Sequence, residues 1–412
     1  MREGHPPEHY VGLDIGTSTV RCVIGTRDVN DPASVSVIGH GSSPNQGMRK
    51  GVVMHVDETV EAIVQAITEA ERISGVRIEH ATVNVNGAHV SGMNSRGTIA
   101  ISGPNREITP EDRDRVEEAA AIVKLPANRE ILQVFAKNYR LDGQDNLKDP
   151  VGMHGVRLEV DCHILTAATP NVRNLDLVLE KAQVRPQHRT VSSLAAAEAV
   201  LDRRQKEAGT AVIDIGAGTT NVVVIEDGEI QHIAVIPMGG THITNDLAIG
   251  LKTDLDVAEQ VKLKHVSIGD TTDKTYRIIV EGVGYTFEQA ETNMIVEARV
   301  EELFEYVDKE LQKIHRSRKL PGGIVIVGGS AAIPGLAEFA KERLQLPARI
   351  GKIRGLAGLV DTVDDPSFAT ATGLMLLDIL LAPFVNDQVT STDLFGGSLQ
   401  SSVGKLLKRI RS

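Results

Sequence analysis

Asp14 and Asp214 each close an apolar run and open a turn of small residues. The first reads "YVGLDIGTSTVRCVIG" from Tyr10 to Gly25, and the second "AVIDIGAGTTNVVVIEDG" from Ala211 to Gly228. An apolar run, Asp-Ile-Gly, a Gly/Ser/Thr turn and a second apolar run predict a strand-turn-strand with a carboxylate at its mouth. Glycine lets backbone approach a ligand closely. Successive N–H groups in such a turn make a concave anion site, and Ser/Thr hydroxyls add donors. The aspartate is placed to hold Mg²⁺, directly or through water. A single copy is most simply an ordinary hairpin, but two copies at equivalent places in two halves of a chain would grip a polyphosphate from both sides. The repetition predicts a duplicated α/β domain with a nucleotide in the cleft between the halves. A third stretch, "IVIVGGSAAIPG", sets Gly328 and Gly329 after a buried strand, where bare backbone can lie against a flat ring. Taken alone it is a tight βα turn with glycines for packing. No competing signature is present, neither G-x-x-x-x-G-K-[ST] nor a G-x-G-x-x-G that opens a helix.

Those hairpins need a scaffold, and 412 residues allow two or more domains. A net charge of −11 argues against nucleic acid as a main partner, since phosphate neutralisation needs a basic surface. Cys22 and Cys162 sit far apart in apolar segments and read as buried free thiols. The start "MREGHPPEHY" has no apolar signal region, and no run approaches ~18 apolar residues. The chain is therefore expected to be neither secreted nor bilayer-spanning. His5 and His9 beside Glu8 have loose metal-ligand spacing, but in a Pro-rich terminus they read as a disordered end.

Asp57 is expected to cap a helix running to about Ile73. "ATVNVNGAHVSG" alternates as a strand and opens a separate module: strand "GTIAIS", a helix with Pro110 at its first position, strand "EILQVFAKNYRLDG" and strand "VRLEVDCHILTA". In that last strand Val156, Leu158, Val160, Cys162 and Ile164 are expected on one face. Helices are expected from Asn171 to Ala182, over "VSSLAAAEAVLDRRQ", from about Asp254 to Lys264, and from about Thr286 to Ser317 after a strand pair near Tyr276 to Val283. Pro366 should begin a final Ala-rich helix, "PSFATATGLMLLDIL".

With these motifs the chain resembles the actin-like ATPase superfamily, and within it the FtsA family of bacterial cell-division proteins. "LDIGTSTV" and "VIDIGAGTTNVVV" look like its two phosphate motifs, "VIVGGSAAIPGL" like its adenosine motif, and "SSLAAAEAVL" and "ATATGLMLL" like its connecting helices. "IPMGGTHITNDLAIGLKTDLDVAEQVKLKHV" is the most specific match. The resemblance implies an α/β, actin-like (duplicated RNase H-like) fold with two lobes around a nucleotide cleft. The first lobe would comprise 8–82, 167–205 and 366–385, with an FtsA-type subdomain inserted at 83–166. The second would comprise 206–240 and 323–365, with an outer subdomain at 241–322. A linker at 386–397 and a helix at 398–412 would follow. The resemblance further implies ATP and Mg²⁺ as ligands. It assigns phosphate contacts to Gly16, Thr17 and Ser18 on one side and to Gly216, Gly218, Thr219 and Thr220 on the other. It also places Gly239 and Gly240 at the site, makes Asp14 and Asp214 the organisers of Mg²⁺, sets Glu259 and Lys262 against ribose and base, and lays Gly328, Gly329 and Ser330 over the adenine.

Hydrolysis in this fold uses a polar side chain that positions water near the γ-phosphate, a Glu at the start of the first connecting helix in heat-shock chaperones and MreB. The matching position here is Ser192, which cannot act as a carboxylate base at neutral pH. Glu198 lies six residues on and reads as a structural helix residue. The site is thus expected to bind ATP and to hydrolyse it weakly or not at all. By resemblance the partners are the FtsZ C-terminal peptide, docked on 241–322, other copies of the chain, and later division proteins. A PilM-like pilus scaffold, with the same layout, and an active actin-fold ATPase or kinase are the alternatives.

The last stretch carries its own signal. Leu399, Val403, Leu406, Leu407 and Ile410 fall at i, i+4, i+7, i+8 and i+11, with Lys405, Lys408, Arg409 and Arg411 outside that arc and no acid from Leu394 onward. A helix docked on the protein's own body is the simpler alternative. The polar tether and flanking cations favour an amphipathic helix lying on an anionic membrane surface, at the cytoplasmic face of the cell membrane.

Overall fold

The computed structural model of the chain describes residues 9–27, 34–103, 105–270, 272 and 274–382. His5, Glu8, the linker at 386–397 and the basic segment at 398–412 lie outside the described residues.

Two sheets of matching order carry the fold. In the first, β1 (His9–Ile15), β2 (Thr19–Arg27) and β3 (Val35–Pro44) form an antiparallel meander. The small hairpin β4 (Met48–Arg49) and β5 (Val52–Val53) leads into α1 (Val56–Ser74), and β6 (His80–Val85) returns parallel to β1. The chain then leaves to build a separate four-stranded sheet in the order β7-β10-β8-β9. Its elements are β7 (Ser91–Ala100), α2 (Pro110–Ala121), β8 (Arg129–Leu141), β9 (Gln144–Leu147) and β10 (Arg157–Ala168). After α3 (Thr169–Lys181), β11 (Arg185–Val191) completes the first sheet parallel to β6.

Helices α4 (Ser192–Val200) and α5 (Arg203–Ala208) lead to the second meander, β12 (Thr210–Ile215), β13 (Thr220–Glu226) and β14 (Glu229–Ile236). An outer group follows: α6 (Gly240–Gly250), α7 (Leu255–His265), the hairpin β15 (Thr275–Val280) and β16 (Val283–Glu288), and α8 (Gln289–Lys313). Then β17 (Gly323–Val327) and, past α9 (Leu336–Leu344), β18 (Ala348–Ile350) add in parallel beside β12. The orders β11-β6-β1-β2-β3 and β18-β17-β12-β13-β14 are the same topology written twice. The repeated phrase marks a repeated fold. The chain returns through β19 (Leu356–Gly358), α10 (Val360–Val363) and α11 (Ala369–Leu381) to the first lobe.

Two apolar helices hold the lobes together. Every residue of α4 except Glu198 is buried, so this helix is packed on all sides and not on one stripe. Its Leu194 and its alanines share one core with Val212, Val223 and Val325 of the second sheet. Helix α11 crosses α4 at Gly373, where a Cβ would stand 1.7 Å from the Ala195 carbonyl oxygen.

Several expectations need correction. Asp57 lies inside the first turn of α1, and the N-cap is His55, with no side-chain cap bond. Val156 precedes β10 and is exposed, because β10 starts at Arg157; Leu158, Val160, Cys162 and Ile164 are buried on one face as expected. Helix α8 starts at Gln289, since Thr286 is paired in β16 with Arg277. The expected single helix over "VSSLAAAEAVLDRRQ" is two, because Asp202 caps a new one through a reciprocal bond with Gln205. Residues 83–85 belong to β6 of the first sheet, so the inserted sheet begins only at Ser91. Strand β19 pairs with β3, which puts 356–358 in the first sheet and not in the second lobe. Pro366 opens a 3-10 turn capped by Asp365, and α11 begins at Ala369. Pro110 takes the first position of α2 as expected, and Thr109 before it forms a capping box with Asp112.

Candidate functional site

The two repeated turns face each other across a cleft of about 260 Å³. Register explains what stands at its floor. In β1–β2, Asp14 pairs with Arg21, and in β12–β13, Asp214 pairs with Asn221. Directly opposed residues project on one face, so each aspartate has a polar neighbour seven positions on. Both carboxylates are buried. Asp14 Oδ1 accepts from Asn84 Nδ2 at 2.6 Å, and the same amide nitrogen also donates to Ser192 Oγ at 3.0 Å. Asp214 Oδ2 accepts from Asn221 Nδ2 and Thr370 Oγ1, each at 3.4 Å. Burial pushes the Asp14 carboxyl up to about 7; the Arg21 guanidinium opposes the rise and the Asp214 charge adds to it. Burial pushes Asp214 up to about 6, against the hydrogen bonds from Asn221 and Thr370 and the charge of Arg21. Two buried carboxylates that face one cleft are a donor set suited to a hard divalent cation. Arg21 lines the same cleft with its Nε buried and lacking a hydrogen-bond partner among the described residues, its guanidinium over Phe368 at 5.4 Å.

The turns are held by bonds the sequence does not announce. Asn45 takes the first, donating Nδ2 to the Gly16 carbonyl at 2.8 Å and its backbone N–H to Ser18 O at 2.9 Å. The start of α6 braces the second, where Gly240 N donates to Gly216 O at 2.9 Å and Thr241 N to Ala217 O at 2.8 Å. Across the cleft Asn86 Nδ2 donates to Thr219 Oγ1 at 3.2 Å.

Of the expected ligand contacts, Gly16, Thr17, Ser18, Gly216, Thr219, Gly240, Glu259, Lys262, Gly328, Gly329 and Ser330 line the cleft together with both aspartates. Three do not. Thr220 is fully buried and its hydroxyl donates to the Met238 carbonyl at 2.8 Å, because it points to the opposite face from Thr219. Gly218 packs on Thr17 Oγ1 and on the Lys50 backbone, and Gly239 sits against Gly216 O, where a Cβ would be 2.4 Å away. Gly218 thus meets the first lobe, and Gly239 backs the second turn. Gly328, at φ 89°, leaves no room beside Asp214: a Cβ there would stand 2.5 Å from Oδ1, whereas Gly329 has open space. Lys262 Nζ is held by Glu259 Oε2 at 2.6 Å and Thr244 Oγ1 at 2.9 Å. Leu263, Ile333 and Pro334 supply an apolar wall that the motif reading missed. Arg21, Asn84 and Asn86 were missed too; only the i, i+7 hairpin register would have pointed to Arg21.

A larger cavity, about 640 Å³, lies elsewhere, between the inserted sheet and the second lobe. Its lining mixes Arg96, Lys137 and Arg316 with Asp161 and Glu226, and it contains neither turn. The cleft with the paired carboxylates is the better candidate. Cys22 and Cys162 are buried free thiols, as expected.

The family model for cell division protein FtsA matches residues 211–373, and that for the SHS2 domain inserted in FtsA matches residues 87–166. Cell division protein FtsA of Pseudomonas aeruginosa is 36% identical over 371 residues, covering 89% of this chain and 88% of that protein. The chain belongs to the FtsA family. FtsA of Bacillus subtilis is 38% identical over 373 residues, covering 89% of this chain and 83% of its own. Among solved structures, the PilM–PilN type IV pilus biogenesis complex matches with a TM-score of 0.67 at 17% identity, covering 92% of this chain and 100% of that one. MreB5 of Spiroplasma citri bound to ADP matches at 0.52 with 14% identity, over 90% and 96% of the two chains. At such identities the likeness is one of fold alone, and that fold is actin-like. FtsA membership and the SHS2 insertion together give a cell-division protein with an actin-like body.

Proposed function

We propose that this FtsA-family chain binds Mg²⁺-ATP in the cleft as a structural ligand, assembles with copies of itself, and tethers FtsZ filaments to the cytoplasmic face of the membrane at the division site, where it recruits later division proteins. The observation that carries the ATP reading is the pair of facing hairpin turns with buried Asp14 and Asp214 at their floor. The two aspartates would hold Mg²⁺, which supplies charge neutralisation for the phosphates. Arg21 supports the same reading by bringing a cation to the cleft. Leu263, Ile333 and Pro334 would flank an adenine laid along Gly328 and Gly329, with Glu259 and Lys262 at the ribose edge. Structures of the MreB5 relative with ADP and with AMPPNP are consistent with this, and the MamK double helical filament, of the same fold, is consistent with self-assembly.

Slow turnover follows from Ser192. It is the first residue of α4, buried, and its Oγ already accepts from Asn84. Glu198 is engaged with Lys206 at 2.7 Å, and the carboxylates lining the cleft are Asp14, Asp214 and Glu259. With the first two organising the ion and the third paired to Lys262, none is left to position water. Steady-state phosphate release is expected far below the ~10 s⁻¹ typical of enzymes, and Ser192→Ala should change it by less than about twofold. Turnover of several ATP per second, or a tenfold loss in Ser192→Ala, would contradict this.

For the tether, the outer group of helices offers exposed Ile249, Leu255 and Met294 as apolar contacts for the FtsZ C-terminal peptide. The segment at 398–412 would lie in the membrane interface, since fifteen residues span only about 22 Å as a helix. The test is co-sedimentation of FtsZ with anionic vesicles in the presence of this protein and ATP. Wild type should carry FtsZ to the pellet, FtsZ lacking its C-terminal peptide should stay in solution, and Leu407→Asp should release both proteins while ATP binding persists. Equal sedimentation of wild type and Leu407→Asp would refute the membrane helix; FtsZ left in solution by vesicle-bound protein would move the reading to a pilus-type scaffold.

A further inference from the structure

The inserted module grows from the first lobe but rests on the second. Its strands β7, β8 and β10 all touch β14, the edge strand of the second sheet. At the centre of that contact is His163 of β10, 1% exposed. The Ile233 N–H of β14 donates to His163 Nε2 at 3.1 Å, so Nε2 is bare; Nδ1 therefore carries the proton and donates to Asn94 Oδ1 at 2.9 Å. Burial, the neighbouring His232 and Lys137 hold this imidazole neutral. The His232 ring stands edge-on at 5.4 Å and is fixed in turn by Glu310 Oε2 at 2.9 Å. Gly92 of β7 makes room for the junction: a Cβ there would lie 2.5 Å from His163 Nε2 and 2.8 Å from the Ile233 carbonyl oxygen.

Both ends of this junction lead directly to the cleft. Three residues beyond Ile233, Ile236 pairs with Thr220, the first residue after the second phosphate turn. On the module's stem, Arg129 ties the two connecting strands together, donating Nη2 to the His89 carbonyl at 3.1 Å and to the Thr166 carbonyl at 3.0 Å. Three residues before His89, Asn86 reaches Thr219 across the cleft at 3.2 Å. First lobe, module, β14, second turn and Asn86 thus form a closed ring of contacts. Opening the cleft must break a member of that ring.

We propose that the inserted module is a brace across the cleft, in which the His163–Ile233 bond and the bound nucleotide hold the same interlobe arrangement. Nucleotide binding and module position are then one equilibrium, and each tightens the other by the same factor. The inference rests on the cleft being the nucleotide site. It gives the family's inserted module a mechanical task in addition to any surface it offers a partner.

The test uses the full-length chain, Mg²⁺-ATP as ligand, and hydrogen exchange of the Ile233 amide as a direct reading of the bond. ATP is expected to slow that exchange about tenfold in wild type. In His163→Ala, which removes the acceptor, and Gly92→Ala, which wedges the junction and leaves His163 in place, the slowing should vanish and the ATP dissociation constant should rise about five- to tenfold. His163→Gln, whose side-chain oxygen can accept the same bond, should return both to within about twofold of wild type. If ATP binds wild type but leaves Ile233 exchange unchanged, and the Gly92→Ala variant binds ATP equally well, the brace is wrong. Should wild type fail to bind ATP at all, the reading of the cleft falls first and the coupling with it. Should His163→Ala not fold, Gly92→Ala and the wild-type exchange decide the matter alone.

Discussion

Mg²⁺-ATP affinity is expected to fall about a hundredfold or more in Asp214→Ala, and a chelator should do the same to the wild-type protein. Asp214 sits buried at the end of a fully buried central strand, where its carboxylate would meet the ion without competition from bulk water. Loss of one hard oxygen ligand and one full charge at such a site corresponds to about 3 kcal/mol or more, and each 1.4 kcal/mol is tenfold in binding. Gly329→Asp should have a similar effect for a different reason. A Cβ at Gly329 meets nothing within 4 Å, so the variant is expected to fold, but on the proposed reading its carboxylate would project into the space of the adenine. Isothermal titration with ATP and Mg²⁺ checks both. Wild-type affinity in either variant would dissociate the cleft from ATP.

Gly373→Ala is expected to lower the melting temperature by about 5 °C or more. The clash at 1.7 Å is with the backbone carbonyl of Ala195, and Ala195 sits in a helix packed on all sides. No side-chain rotation relieves it, so α4 and α11 must move apart and open the core that joins both lobes. Overpacking of this kind costs about 1–3 kcal/mol and more where backbone must shift, and about 3 kcal/mol translates to several degrees in a domain of this size. Gly103→Ala is the control: nothing lies within 4 Å of its Cβ, and its melting curve should match wild type. A Gly373→Ala curve that also matches would show that the helices cross with slack.

What the sequence determined by itself is what short range can encode. The two Asp-Ile-Gly turns are legible because strand, Asp-Ile-Gly and turn are contiguous, and their repetition reveals the duplicated topology that the matching sheet orders display. The start of α2 is legible for the same reason, since Thr109, Pro110 and Asp112 form the cap within four residues. Tertiary structure decided whatever depends on strands brought together from afar. Asn84 reaches Asp14 across a separation of 70 residues, and Thr370 reaches Asp214 across 156; no local pattern distinguishes Asn84 from other polar residues of buried strands, or Thr370 from other polar residues of buried helices. It also decided which neighbours in a motif face the cleft: Thr219 looks in and Thr220 looks away, because side chains alternate along a strand and only the sheet's packing fixes which face is which. The return of β19 to the first sheet and the seating of the inserted module on β14 are the same kind of fact. A strand's sequence states that it will pair, but the partner it takes is set by the packing of the whole chain, where burial of the shared core selects one pairing among many that the backbone would accept.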